Sequence, residues 1–285
     1  GFRTTRCFKN AILFHCGKVN YSNLPTQMGE EIKVLIVLPA RNEEEKIGEV
    51  IDKIHKYFPG IDILIIDDGS DDNTAKVVSS REVHLLRHEI NYGYAKALQS
   101  AREFVFENGF NYLVLCDADG QHEPQDIGKI INALIQKKAD YVIASRVLGS
   151  YPYQDPFIHK YGRKLYSFLV SILFYYKFKM RITDSSSGFK GWNKKVIQLF
   201  TDIYMNTNKL QDGRINDLEE LFIIAKNKLK VLEVPGRFYK RKDDISRIYS
   251  NYGLSGDSPK IKDLYHLLFS WPFLFFKTLL RNIFR

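Results

Sequence analysis

The chain has 285 residues, 45% hydrophobic and 26% charged, which suits one large α/β domain or two small ones with a sizeable core. Three cysteines, Cys7, Cys16 and Cys116, at spacings that fit no zinc site, exclude a disulfide-stapled miniprotein; Cys116 lies in an apolar run and reads as a reduced, buried thiol. The net charge of +9 sits at the ends: residues 1–27 hold four Lys/Arg and no acid, residues 236–285 hold ten Lys/Arg against four Asp, and the body between is one unit negative.

Residues 1–27 show no sustained periodicity and read as a peripheral extension, native or added; 1–30 is set apart from the body of the chain on that ground. Lys33–Leu38 (KVLIVL) is a buried-strand run, and Glu43–Tyr57 has helical spacing with apolar Ile47, Val50, Ile51 and Ile54. Ile61–Ile66 predicts a second strand, followed by a polar turn and a helix near Thr74–Ser80. Val83–Arg87 is a short strand, Tyr94–Asn108 a helix and Tyr112–Cys116 a strand. A helix at Pro124–Lys137 and a strand at Tyr141–Ser145 follow. Strand–helix alternation of this kind predicts an α/β fold, a mostly parallel sheet with helices on both faces.

In such sheets, function lies at the carboxyl ends of the strands. Strand one ends in Pro39-Ala40-Arg41-Asn42-Glu43, strand two in Asp67-Asp68-Gly69-Ser70, and the strand at 112–116 in Asp117-Ala118-Asp119-Gly120-Gln121-His122. Asp117 and Asp119, with the Gln121 amide or the His122 imidazole, offer hard ligands for Mg²⁺ or Mn²⁺. Mg²⁺ keeps only one or two protein carboxylates when substrate phosphates fill its other positions, so a short carboxylate pair suits a nucleotide-diphosphate enzyme. The plainer reading is a solvated Asp/Gly turn. Asp67 and Asp68 read either as cap and turn residues or as acceptors for base N–H and ribose hydroxyls. No Gly-rich phosphate loop follows strand one, which argues against a P-loop NTPase or a dehydrogenase.

Taken together, these residues resemble the family 2 glycosyltransferases of the GT-A fold. The motifs stand in family order: PARNEE at 39–44, IIDDGSDDNT at 65–74, NYGYAKAL at 91–98, DADGQHEP at 117–124, ASR at 144–146, DSSSGFK at 184–190 and NDLEELFIIAKNKLKVLEVP at 216–235. The nearest subgroup looks like the dolichyl- or polyprenyl-phosphate mannose and glucose synthases. The resemblance implies that Pro39, Arg41 and Glu43, with Asp67 or Asp68, hold the nucleoside, and that Asp117 and Ala118 lie against the donor. It implies Asp117, Asp119 and Gln121 as metal ligands, with Asp119, Arg146 and Asp217 as the catalytic set. It also implies an inverting single displacement.

The acceptor side is basic. Pro156–Lys195 holds nine Lys/Arg against the single acid Asp184, around an uncharged run, Leu165–Tyr176, that is a core helix or one lying at a lipid interface. Arg146 matches the subgroup's phosphate-contacting arginine; His159, Lys160 and Arg163 are further candidates. Arg241 and Arg247 align with a loop pattern from which this chain departs at Asp243 and Asp244. A lipid phosphomonoester, with a second pKa of about 6, arrives ionised and needs cations rather than a base. An alcohol acceptor would need a base, and Asp212, Asp217 and Glu219 are the candidates, read otherwise as acids favourable to a helix N-terminus.

Leu264–Phe276 lacks any Lys, Arg, Asp or Glu, and Lys277, Arg281 and Arg285 follow at a spacing of four. That is the pattern of an interfacial amphipathic helix, a core-capping helix, or the start of a longer membrane region. No uncharged run approaches the roughly 18 residues of a spanning helix. With no signal-peptide pattern, the expected location is the cytoplasmic face of a membrane. The domains expected are an extension (1–30), a GT-A unit (31–250) and a basic, apolar interface tail (251–285). The expected partners are a UDP- or GDP-linked sugar, a polyprenyl phosphate and a membrane surface. Nucleic acid is set aside because neither an aromatic β surface nor a recognition-helix pattern accompanies the basic ends. The competing reading is a non-catalytic nucleotide-binding adaptor at the membrane.

Overall fold

The computed structural model describes residues 3–8, 11–15, 32–150, 157–206 and 217–239. Within them the strands are β1 (Arg3–Phe8), β2 (Ala11–His15), β3 (Val34–Ala40), β4 (Asp62–Asp67), β5 (His84–His88), β6 (Tyr112–Leu115), β7 (Tyr141–Ser150), β8 (Lys190–Asn193) and β9 (Val231–Arg237). The helices are α1 (Ile47–Tyr57), α2 (Thr74–Ser79), α3 (Tyr94–Glu107), α4 (Ile127–Ile135), α5 (Phe157–Phe178), α6 (Lys194–Asn206) and α7 (Asp217–Lys226). Pro124–Asp126 forms a 3₁₀ turn ahead of α4, which absorbs the first residues of the helix expected from Pro124.

The sheet order is β1-β2-β5-β4-β3-β6-β8-β7-β9, and only β2 and β8 run against the rest. The predicted fold class therefore holds, with one amendment. The N-terminal arm, read as lacking periodicity, forms a hairpin whose second strand pairs with β5 through Ala11–His88 to Phe14–Leu85. Two runs of five or six residues are too short to show a period, although TTRCF and AILFH are rich in the β-branched and aromatic types that strands favour.

Helices cover both faces, so the central strands are apolar throughout rather than alternating. Leu35, Val37, Leu64 and Ile66 face a core completed by α3, α5, α6 and α7. Val34, Ile36, Leu38, Ile63 and Ile65 face the other, under α1, α2 and α4. Helix α1 shows how the pattern works: Ile47, Val50, Ile51 and Ile54 recur on one stripe and are all buried. Each such side chain contributes about 1.5–3 kcal/mol by leaving water. Cys116 is buried in this second core, and burial pushes its thiol pKa well up. Among the described residues no helix is long and apolar enough to cross a membrane. The C-terminal amphipathic helices expected at 251–285 lie outside the described residues.

Candidate active site

Strands β3, β4 and β6 are parallel neighbours, so the turns after them, Pro39–Glu43, Asp67–Ser70 and Asp117–His122, share one rim. The first two turns hold each other. Asn42 takes a left-handed backbone (φ 53°), which Asn tolerates better than most residues. Its N–H donates to Ser70 Oγ (2.9 Å) and its Oδ1 accepts from Asp71 N–H (2.8 Å). Glu43 N–H donates to Thr74 Oγ1 (2.8 Å), and the Glu44 carboxylate accepts from the backbone and side-chain amides of Asn73 (2.9 and 2.8 Å). Gly69 is obligatory at the tip: its φ is +65° and a Cβ would fall 2.5 Å from the Ile90 carbonyl carbon.

Asp67 and Asp68, expected at the nucleoside, are both buried and already engaged. Asp67 Oδ1 accepts from Ser70 N–H (2.9 Å), and Oδ2 lies 3.1 Å from Arg87 Nε. Asp68 accepts from Tyr92 N–H (2.9 Å) and Gly93 N–H (2.8 Å) and pairs with His88 Nδ1 at 2.7 Å; His88 Nε2 in turn meets Ser100 Oγ at 2.9 Å. These carboxylates build the rim: Asp68 fixes the loop that starts α3. Pro39 and Arg41 are half-buried at the same rim and Glu43 is buried beneath it.

The β6 turn is organised by a residue that sequence reasoning treated only as a possible ligand. His122 is buried, stacked on Phe189 (centroids 4.6 Å, 6° between planes) and edge-on to Phe238. Its Nδ1 accepts from Asp117 N–H at 3.0 Å, so the ring proton sits on Nε2, which lies 3.4 Å from Asp117 Oδ2. Burial lowers the imidazole pKa to about 4, so the ring is neutral and serves as a spacer under Asp117. Asp119 Oδ1 accepts from Gln121 N–H (2.9 Å), closing the turn, and Ala118 is buried between the two acids.

A cradle for a cation can be tested here. A Cβ added to Gly188 would stand 3.5 Å from Asp117 Oδ2 and 3.8 Å from the Tyr94 hydroxyl, so glycine leaves open a space that β6, α3 and the loop before β8 share. Among the described residues no three His, Cys, Asp or Glu side chains gather around one point. Two carboxylates and an amide fit a hard divalent ion that takes its other ligands from phosphate and water. They do not fit a closed protein cage.

Arg146, expected at the acceptor phosphate, extends from β7 into a bidentate pair with Asp184: Nε to Oδ2 and Nη2 to Oδ1, both 2.7 Å. Nη2 also donates to Ser186 Oγ (3.0 Å), and the guanidinium lies 5.5 Å from the Phe238 ring centroid. Asp184 is held by Glu233, whose two oxygens accept from Thr183 and Asp184 N–H at 2.8 Å each. Burial pushes the Glu233 carboxyl above its usual range against the pull of those amides. The loop 183–188 is thus anchored from β9 and clasped to β7 by the arginine.

Asp217 opens α7 and is paired with Lys190 Nζ at 2.8 Å. Lys190, 1% exposed in β8, also meets Glu220; Glu220 accepts from the Tyr141 hydroxyl (2.9 Å) and from Arg102 Nη2 (3.3 Å). Arg102 lies over Trp192 (4.8 Å) and Phe200 (5.0 Å). Burial alone would lower the Lys190 pKa, but Asp217 and Glu220 win and raise it well above the usual range. The sequence places Lys190 among nine basic residues and at the end of the motif DSSSGFK; the signal for its burial is a lone charge inside the apolar run GFKGW.

His159, Lys160 and Arg163 fall in the first two turns of α5, with side chains outside the described residues. Arg241, Arg247 and Asp212 also lie outside them, and Glu219 is half-buried in the first turn of α7. The chain approaches the rim at its last described residues: Tyr239 N–H donates to Gln121 O (2.8 Å), and Phe238 bridges His122.

The family described as Glycosyl transferase family 2 matches residues 35–197. A UDP-N-acetylglucosamine–dolichyl-phosphate N-acetylglucosaminyltransferase of Methanococcus voltae is 31% identical over 243 residues, 78% of this chain and 88% of that relative. The polyprenol monophosphomannose synthase of Mycolicibacterium smegmatis is 24% identical, over 79% of this chain and 82% of its own. Among solved structures, glucosyl-3-phosphoglycerate synthase from Mycobacterium tuberculosis, in complex with Mn²⁺ and UDP-glucose, superposes with a TM-score of 0.53. That match is 15% identical and covers 83% of this chain and 79% of that one, so it speaks for a shared fold.

Proposed function

Since the chain belongs to glycosyl transferase family 2, we propose that this glycosyltransferase moves a sugar from a nucleoside-diphosphate donor onto a polyprenyl phosphate at a membrane surface. The observation that carries the reading is the match to a dolichyl-phosphate sugar transferase across 88% of that relative.

On the donor side, Asp117, Asp119 and Gln121 would hold Mg²⁺ or Mn²⁺, with His122 spacing Asp117 from below and Gly188 leaving room beside it. When bound to the donor, such a cation neutralises the diphosphate and makes it a better leaving group. Pro39, Arg41 and Glu43 line the nucleoside side of the rim, steadied by the Asn42 and Thr74 bonds. The acceptor phosphate oxygen attacks the anomeric carbon opposite the leaving diphosphate. One carbon–oxygen bond forms as the other breaks, and the configuration inverts. No proton has to move, because the phosphomonoester arrives largely ionised. Arg146 is held rigidly enough to present its remaining edge to an anion.

Helix α5 supports the membrane part of the reading. Leu165, Phe168, Leu169, Ile172, Tyr175 and Tyr176 recur at three- and four-residue intervals and are all exposed, while Val170 and Phe174 on the other side are buried. Lys179 and Arg181 lie 5.7 and 5.8 Å from the Tyr175 ring centroid, putting cations at the end of the stripe. An apolar stripe edged by cations suits an anionic lipid surface.

The decisive experiment screens UDP- and GDP-sugars against a polyprenyl phosphate with Mg²⁺, Mn²⁺ or EDTA. Metal-dependent formation of a polyprenyl-phosphate sugar is the expected result. Transfer to hydroxyl acceptors alone, or no turnover of any donor, would sink the reading.

A further inference from the structure

Among the described residues, Lys190 is the most deeply buried cation near the site, and it has no part in the chemistry above. It lies two residues after Gly188, whose open space touches both Asp117 and the Tyr94 hydroxyl. Tyr94 is 44% exposed as a residue, and its hydroxyl, beside Gly188, is within electrostatic reach of Asp117, Lys190, Asp217 and Glu220. The Asp217 carboxylate pairs with Lys190 at 2.8 Å and keeps 41% of its side chain exposed, so its charge reaches solvent on the Gly188 side of β8. Glu220 behind it is buried and shared among Lys190, Arg102 and Tyr141. The exposed Asp217 charge would repel an incoming phosphate; Lys190 stands directly behind it, and Arg102 behind Glu220.

We propose that Lys190 is a positioning residue that neutralises Asp217 and pins it aside, so that an anionic acceptor can approach the donor. The proposal rests on the polyprenyl-phosphate reading and deepens it: the acceptor face is built as a charge-cancelled cluster, and the acid at its mouth is a screened group rather than a general base. A bare carboxylate within several ångströms of a phosphate opposes binding by enough to change affinity about tenfold at a protein surface.

The test uses the whole chain with a short-chain polyprenyl phosphate and the donor found by screening. Lys190→Met is expected to raise the acceptor KM about tenfold with donor KM changed by no more than about twofold, a defect that added salt narrows because the exposed part of Asp217 is screened. Adding Asp217→Asn to that variant should bring the acceptor KM back toward wild type, a rescue that simple loss of packing would not show. Should Lys190→Met not fold, Asp217→Asn alone keeps the Lys190–Glu220 pair and reads the same charge: the acceptor KM should fall. An unchanged acceptor KM, no rescue in the double variant, or a kcat loss beyond about a hundredfold in Asp217→Asn overturns the proposal, the last because it would make Asp217 a base. Absence of any wild-type transfer to polyprenyl phosphate overturns the parent reading and this one together; normal transfer with unaffected KM overturns this one alone.

Discussion

At the scale of single residues, the acids of the rim differ in burial. Asp67, Asp68 and Asp184 are buried and each satisfy several amides or a guanidinium, whereas Asp119 lies half-buried in the β6 turn, where the proposed metal site needs it. Asp119→Ala should therefore abolish metal-dependent donor turnover while the melting temperature stays within about 2–4 °C of wild type, the shift expected of a change of about 1 kcal/mol in a chain this size. Wild-type turnover in a donor-hydrolysis assay would remove Asp119 from the metal set. Asp184→Ala is expected to behave differently. Asp184 is 2% exposed and leaves Arg146 without its bidentate partner, so urea unfolding should show a loss of about 3–5 kcal/mol. Asp126 supplies a pH signature. Burial pushes its carboxyl up, but hydrogen bonds from Arg237 and Lys129 outweigh it and hold the pKa below the usual 3.8. A lowered folded-state pKa gives stability that is present above the unfolded value and is lost as pH falls through the folded one. Asp126→Asn should flatten the acid limb of the stability–pH curve below about pH 4; an unchanged limb would show that the tie to Arg237 carries no weight.

At the scale of elements, α1 and α5 make opposite use of the same period. In α1 the stripe faces inward, so Ile54→Ala should cost about 2–5 kcal/mol in chemical denaturation. In α5 the exposed stripe faces outward, with Leu165, Phe168 and Tyr176 the most exposed of it. Replacing Phe168 and Tyr176 by Glu should leave the melting temperature near wild type and reduce partition onto anionic vesicles by about tenfold or more. Equal sedimentation with vesicles would assign the stripe to something other than lipid. The uncharged run Leu165–Tyr176 was open between core and interface in the sequence, and the helix serves both: Val170 and Phe174 enter the core while the other side stays bare.

At the scale of the whole molecule, the proposed donor face draws on β3, β4 and β6 and the proposed acceptor face on β7, β8 and α7. Deleting 264–285 should lower vesicle binding more than it alters turnover of a short soluble prenyl phosphate; equal vesicle binding before and after would refute an interfacial tail. Fold class, rim and motif order were legible in the sequence because they depend on local rules: apolar strands, amphipathic helices, and polar turns at strand ends. The partners of individual charges were not. Nothing local shows that Arg146, expected at a phosphate, is also clasped to Asp184, 38 residues away, or that Asp68, expected at the nucleoside, also holds the α3 loop through amides 24 and 25 residues on. Lys190, one of nine basic residues over 156–195, is buried between Asp217 and Glu220. The sequence by itself determined which segments pack and where the acids gather, because burial periodicity is written along the chain. Only the tertiary structure decided which charges are spent on each other, because pairing depends on distances across the fold that no local spacing encodes.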